Sequence, residues 1–315
     1  MTAILTLTMN PCVDVSTSTA QVAPEHKLRC QSPRYEPGGG GVNVARVLHR
    51  LGASCLAYFP CGGRTGLQLQ DLLLQEQVPF NAEPIAGSTR ESWHVRDQAL
   101  AQDFRFVMPG PALHASEWQT CLQRLPDLAR GCSHVVLSGS LPPGVPDDFY
   151  TSVIDRLRGQ GCSVVLDASG PALAHALRAG VFLVKPSLRE LRDLTGQALQ
   201  GPPAWQAAAR QLVDDGRAQV VVLSLGAQGA LLVTADRLLY APALPVAVVT
   251  TVGAGDSFVA GLVQALAAGR DLRSAFVQGV AAASAALLGQ GTGLCQAADV
   301  QRLEAQVQIL DALPG

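Results

Sequence analysis

At 315 residues, 48% of them hydrophobic, the chain is long enough to bury one large α/β core or two smaller ones. Charged residues make up only 15% and the formal net charge is −2, so no basic field exists to hold nucleic acid or an anionic membrane surface, and the expected partner is a small molecule. Eight cysteines are scattered without a C-x-x-C pair, which reads as reduced thiols in a cytoplasmic protein and not as a disulfide frame or zinc site.

In chain order, the first nine residues alternate Ile4, Thr6 and Thr8 against Leu5, Leu7 and Met9, a strand pattern without the basic region of a signal peptide. Residues 12–36 and 88–108 also alternate polar with apolar residues and carry no helical pattern, which predicts antiparallel strands in a small sheet that could serve as a lid. Val44, Val47, Leu48 and Leu51 share one helical face, and Leu67, Leu69, Leu72 and Leu73 mark the next helix. Gly52 and Gly161 stand where helices should stop. Continuous apolar runs at 135–137, 163–166, 181–184 and 220–223, with helical patterns between them, predict a mostly parallel sheet covered on both faces. The apolar tract from Val280 to Leu288 is too short to span a bilayer and reads as a buried helix.

The segment Thr251-Val252-Gly253-Ala254-Gly255-Asp256-Ser257 places an acid directly after two glycines, at the entry to an apolar helix. Backbone N–H groups at a helix start favour phosphate, and Asp256 adds a carboxylate that can accept a proton from an attacking hydroxyl. An ordinary helix cap would use the same residues. A second cluster, Gly38 to Gly41 followed by Val42 and Asn43, is costly to order; since packing gives no evident reason for four glycines, close approach of a ligand is the favoured explanation. Neither a P-loop nor a dinucleotide fingerprint occurs.

Asp14 follows the first strand, where Pro11 should end the ladder; it can accept from ligand hydroxyls or be a solvated turn aspartate. Arg90 and Arg105, with Lys27 and Arg29, lie on the two lid segments and suit a substrate phosphate or simply charge an edge. Lys185 and Glu190 flank the end of a buried strand; Glu190 can hold a magnesium-bound water or favour a helix dipole. Ser224, Gly226 and Gly229 form a turn for a nucleotide phosphate, or a plain hairpin. The alanine-rich 281–286 stretch offers a flat surface to an adenine ring, or close helix packing.

Together these motifs resemble the PfkB/ribokinase family of sugar kinases over essentially the whole chain. The two signature regions correspond to Gly38–Ala45 and Thr251–Ser257, and the segments 6–11, 27–30, 106–110 and 138–144 look like those of phosphosugar kinases. The resemblance implies one ribokinase-like domain over 1–315, a three-layer α/β/α fold with a β-sheet lid, dimeric through that lid. It implies transfer of the ATP γ-phosphoryl group to the C1 hydroxyl of fructose 6-phosphate. Fructose 1-phosphate and tagatose 6-phosphate are alternative substrates, and a non-catalytic sugar-phosphate sensor is the alternative of another class.

By the same resemblance Asp256 is the base, with Gly253, Ala254 and Gly255 as the anion hole. Asp14, Lys27, Gly39, Gly40, Asn43, Arg90, Arg105 and Ser140 hold the phosphosugar, while Lys185, Ser187, Ser224, Gly226 and Gly229 lie along ATP. Glu190 serves Mg²⁺ through water, and backbone oxygens of Thr250, Val252, Ala286 and Gly291 serve a K⁺ ion. Ser187 replaces the asparagine of the family's N-x-x-E motif, which implies a raised magnesium requirement.

Overall fold

The structure is a computed structural model that describes residues 4–289 and 294–312. The chain begins with β1 (Ile4–Leu7), β2 (Cys12–Thr19), β3 (Arg34–Gly38), α1 (Gly40–Arg50), β4 (Cys55–Cys61), α2 (Gly63–Gln75) and β5 (Phe80–Pro84). It continues through β6 (Arg90–Asp97), β7 (Gln102–Val107), α3 (Ala115–Leu128), β8 (His134–Ser138), α4 (Phe149–Leu157), β9 (Ser163–Asp167) and α5 (Gly170–Ala179). The remainder comprises β10 (Val181–Val184), α6 (Leu188–Thr195), α7 (Gly201–Asp214), β11 (Ala218–Ser224), β12 (Ala230–Val233), β13 (Leu238–Ala241), α8 (Ala254–Ala267), α9 (Leu272–Ala286) and α10 (Ala297–Glu304).

The main sheet has the order β13-β12-β11-β10-β9-β8-β1-β4-β5. Pairing is parallel from β5 to β11, and β12 and β13 close the edge as an antiparallel hairpin. The apolar runs read from the sequence are β8, β9, β10 and β11, buried on both sides as a parallel sheet requires. Successive strand residues feed opposite faces: Ile4 packs with residues of α1, α2, α8, α9 and α10, whereas Leu5 and Leu7 pack with α3, α4, α5 and α7. The three-layer α/β/α architecture is therefore present. Val280 lies inside α9 as a buried residue, as expected, but Leu67 of α2 is exposed and does not belong to the apolar face assigned to it.

A second sheet, β3-β2-β6-β7, is built from the two segments expected to form a lid. Its pairing differs from expectation. β2 runs parallel to β6, and only the outer pairs, β2 with β3 and β6 with β7, are antiparallel. Alternation identifies a half-buried strand without identifying its neighbour, so a pairing between segments far apart in sequence is invisible to it. Val13 and Val15 are fully buried in the core shared with α1 and α2, which directs Cys12, Asp14 and Ser16 to the opposite face of the sheet. Asp14 thus lies on a lid strand and not in a turn, because the chain passes from Pro11 directly into β2.

The four-glycine run is also explained differently from expectation, because packing requires it. A Cβ on Gly38 would sit 2.5 Å from the Asp14 carboxylate, one on Gly40 2.3 Å from Ser138 Oγ, and one on Gly41 2.7 Å from the Leu7 carbonyl oxygen. Gly39 has φ +106°, a conformation that L side chains rarely adopt. The run lets α1 start directly against the ends of β1 and β8. Gly41→Ala is expected to destabilise the protein by about 2–3 kcal/mol through overpacking, read as a lowered urea midpoint with an unchanged m-value.

Candidate active site

The strand order reverses beside β1: β4 and β5 extend to one side and β8 to β11 to the other. In open α/β sheets the crevice beyond the strand ends at such a switch point is where ligands bind. Asn10, just after β1, donates from Nδ2 to Ser140 Oγ at 3.1 Å, and its carbonyl accepts from Arg90 Nη2 at 3.0 Å. The end of β1, the end of β8 and the root of the lid therefore meet in one place. Arg90 Nη1 also donates to the Met108 carbonyl at 3.0 Å, whereas Arg90 Nε and Asn10 Oδ1 are buried without a partner among the described residues. Buried orphans of opposite character at a sheet's switch point suit a polar ligand.

Beyond β13, α8 starts at Gly253, whose φ of 76° turns the chain into the helix. The first helical bond runs from Ser257 N–H to the Gly253 carbonyl at 2.8 Å, so the N–H groups of Ala254, Gly255 and Asp256 precede the ladder and converge at the positive end of the helix. Asp256 is half-buried, and its Oδ2 accepts from Asn43 Nδ2 at 2.9 Å, a bond that links α8 to α1. Burial pushes its carboxyl up to about 7, and the charge of Asp167 adds to the shift; the Asn43 bond and the Lys185 charge oppose it. A group poised there can accept a proton near neutral pH.

Lys185 follows β10 and is buried, with Nζ 3.0 Å from Asp167 Oδ1 at the end of β9. Burial alone would lower the pKa of this ammonium, but the Asp167 carboxylate holds it above the ordinary value, so it stays charged. A methyl group on Gly255 would lie 3.5 Å from Nζ, which places the cation beside the amides at the start of α8. Lys185 thus stands between Asp167 and the glycine-acid turn.

On the lid, Asp14 is buried and its Oδ1 accepts from Cys12 Sγ at 3.2 Å. Burial pushes its carboxyl up to about 6. Arg105 is exposed and donates from Nε to His94 Nε2 at 3.1 Å, across the β6–β7 pair. Burial, then the Arg105 charge, lowers the His94 pKa. Lys27 lies not on a lid strand but in the exposed connection between β2 and β3.

Ser187 caps α6. Its Oγ accepts from Glu190 N–H at 3.2 Å while Glu190 Oε2 accepts from Ser187 N–H at 2.7 Å, a reciprocal capping box. One carboxylate oxygen of Glu190 is thus committed to the helix start. Ser224 bridges to Ser187 at the strand ends, its N–H donating to the Pro186 carbonyl at 3.0 Å. Gly226 and Gly229 form the β11–β12 hairpin turn around a short 3-10 helix, so the plain-hairpin alternative describes the backbone here. Val249 N–H donates to the Leu287 carbonyl at 2.8 Å, which sets the segment carrying Thr250 and Val252 beside the end of α9 with Ala286. The Ala286 carbonyl also accepts from Gly289 N–H, and Gly291 lies outside the described residues.

The description "pfkB family carbohydrate kinase" matches residues 2–299. The chain belongs to the pfkB family. Among its relatives, an ATP-dependent 6-phosphofructokinase isozyme 2 of Mycobacterium tuberculosis is 48% identical over 299 residues, covering 95% of this chain and 88% of that protein. Phosphofructokinase-2 of Escherichia coli in complex with potassium superposes with a TM-score of 0.93 at 43% identity, covering 97% of this chain and 99% of that one. The same enzyme in complex with fructose 6-phosphate gives 0.91 at 41% identity, with the same coverage. In this pfkB family chain, sequence reasoning missed Asp167, whose only signal was an acid at the end of a buried strand, and Arg46, a fully buried arginine on α1 that contacts Asn43.

Proposed function

We propose that this pfkB family kinase, a single domain spanning 1–315, phosphorylates the C1 hydroxyl of fructose 6-phosphate with ATP to give fructose 1,6-bisphosphate. The observation that carries the proposal is Asp256: a half-buried carboxylate at the start of α8, beside three backbone N–H groups ahead of the helical ladder and close to the Lys185 ammonium. In the reaction the C1 oxygen bonds to the γ-phosphorus as its proton passes to Asp256, the bond from phosphorus to the bridging oxygen breaks, and ADP leaves with that oxygen. The amides of Ala254, Gly255 and Asp256 and the Lys185 cation stabilise the negative charge of the group in transit.

Asp14, Asn43, Gly39 and Gly40 hold the sugar in this reading, and Arg90, Arg105 and Ser140 hold its phosphate, assisted by Lys27. Ser187, Ser224, Gly226 and Gly229 line the nucleotide. Among the described residues no three His, Cys, Asp or Glu side chains gather into a metal cage, but the charges of Asp167 and Glu190 both act on Lys185. That donor set suits a magnesium ion delivered on the nucleotide phosphates and held mainly through water. Bound there, Mg²⁺ would neutralise charge on the β- and γ-phosphates. The neighbouring carbonyls of Thr250, Val252 and Ala286 suit a K⁺ ion. Ser187→Asn, which restores an amide beside Glu190, is expected to lower the magnesium concentration for half-maximal activity several-fold, measured by titrating Mg²⁺ at fixed ATP.

Leu28, Tyr35, Phe106, Val107 and Met108 are exposed apolar residues on the lid and its connections, which supports a homodimer formed through that sheet. Among the described residues no helix is long and apolar enough to cross a membrane; with the scattered unpaired cysteines this fits the proposed cytoplasmic location. Comparison of kcat/KM for fructose 6-phosphate, fructose 1-phosphate and tagatose 6-phosphate tests the assignment. A clear preference for fructose 6-phosphate is expected. Preference for either other sugar would reassign the substrate, and binding of fructose 6-phosphate and ATP without ADP release would make the protein a sensor.

A further inference from the structure

Arg46 has no accessible surface, yet its guanidinium is among the most heavily bonded groups near the site. Nε donates to Glu76 Oε2 at 2.9 Å and Nη2 to Glu76 Oε1 at 2.5 Å, while Nη1 donates to the Pro37 carbonyl at 2.7 Å. Nη2 also lies 3.5 Å from Glu36 Oε1. The remaining contact is the informative one: Nη1 faces Asn43 Oδ1 at 3.3 Å, one helical turn back along α1.

A guanidinium has donors only, so whichever end of the Asn43 amide faces it must be the oxygen. The other end, Nδ2, then points away from Arg46 and donates to Asp256 Oδ2 at 2.9 Å. Reversed, the amide would set N–H against N–H at Arg46 and oxygen against oxygen at Asp256. Arg46 itself is held by the bidentate Glu76 and the Pro37 carbonyl, and Arg50, with Nη2 3.4 Å from Glu76 Oε2, braces Glu76 from the next turn. Burial works against the Glu76 carboxylate, but the Arg46 bonds outweigh it and hold its pKa below the ordinary range.

We propose that Arg46 is a positioning residue for phosphoryl transfer: anchored by Glu76, it fixes the orientation of the Asn43 amide so that Asn43 holds the Asp256 carboxylate toward the acceptor hydroxyl. This rests on the reading of Asp256 as the base. Lysine cannot take the place of arginine here, because one ammonium cannot keep the Glu76 fork, the Pro37 carbonyl and the Asn43 oxygen together.

The test is a double-mutant cycle on kcat for fructose 6-phosphate with saturating ATP and Mg²⁺. Arg46→Lys is expected to lower kcat about tenfold in the wild-type background and less than about twofold further in an Asn43→Ala background, since a residue acting through Asn43 has nothing left to orient. A purely structural role would cost the same factor in both backgrounds. Equal factors, or no loss of kcat in Arg46→Lys, would overturn the proposal. If Arg46→Lys shows no cooperative unfolding transition, Glu76→Gln in the same two backgrounds replaces it: about a threefold loss confined to the Asn43 background supports the role, and equal losses overturn it. Asp256→Asn separates the two levels. Full turnover in that variant overturns the reading of Asp256 as the base and this inference with it, whereas an inactive Asp256→Asn together with an additive cycle overturns the role of Arg46 alone.

Discussion

Asp256→Asn is expected to lower kcat for fructose 6-phosphate by about two to four orders of magnitude with KM values for both substrates little changed, the pattern of a group that acts only in the transition state. Asparagine preserves the shape and can still contact Asn43, but it cannot take the C1 proton. The wild-type pH profile should carry the same signature. Because burial and the nearby Asp167 push the Asp256 carboxyl up to about 7, the base is progressively protonated below that pH. On the acid side kcat/KM should fall about tenfold per pH unit.

The same shift has a consequence for stability, with the sign opposite to that of an ordinary paired carboxylate. The folded pKa lies above the ordinary value of 3.8, so the group favours the folded state while protonated, and that contribution is lost as the pH rises through about 7. Asp256→Asn should therefore unfold a few degrees higher than wild type at pH 8, with an advantage that shrinks as the pH falls toward 3.8. A variant that is both slower and more stable is what a site held against its own folding preference predicts. Equal melting temperatures at pH 8 would show that the carboxylate is better solvated than its surroundings indicate.

Lys185→Met should be the most damaging substitution for the fold. The ammonium is almost completely buried and its Nζ sits 3.0 Å from Asp167 Oδ1, so its loss leaves Asp167 without its buried countercharge beside Asp256 and Glu190. Breaking a buried ion pair from one side typically costs about 3–5 kcal/mol. Calorimetric unfolding at pH 8 should show a correspondingly large fall in the midpoint. Replacing both partners, as in Lys185→Met with Asp167→Leu, removes the stranded charge and should recover most of that stability. Activity should not return with it, because the cation beside the start of α8 is still missing. Recovery of turnover in the double variant would confine Lys185 to a structural role.

The sequence was most readable where chemistry and period coincide. The four apolar runs are the buried parallel strands they implied, Val44, Val47 and Leu48 marked the inner face of α1, and the glycine-acid turn at 253–256 sits at a helix start as its residue types suggested. Less readable were features decided by distant partners. Nothing local to Asp167 says that Lys185 will reach it, or that Arg46 will be buried against Glu76 thirty residues away. The parallel pairing of β2 with β6 is hidden for the same reason, because a period of two fixes a face and not a neighbour. The glycine run at 38–41 has a reason its residues alone did not reveal. Its cost pointed to a ligand, and the contacts of Gly38, Gly40 and Gly41 add that α1 must start against the ends of β1 and β8. Glu190 illustrates a residue with two compatible readings: its capping bond to Ser187 uses one carboxylate oxygen, and the proposed magnesium contact would use the other.

Phosphorus NMR of the protein mixed with fructose 6-phosphate, ATP and Mg²⁺ addresses the chemistry most directly. The γ-phosphate resonance of ATP should decline as a second sugar phosphomonoester resonance appears, one for each ADP formed, and Asp256→Asn should slow both together. Conversion of the γ-phosphate to inorganic phosphate without a bisphosphate, or an unchanged spectrum from folded protein, would contradict transfer to the sugar at this site.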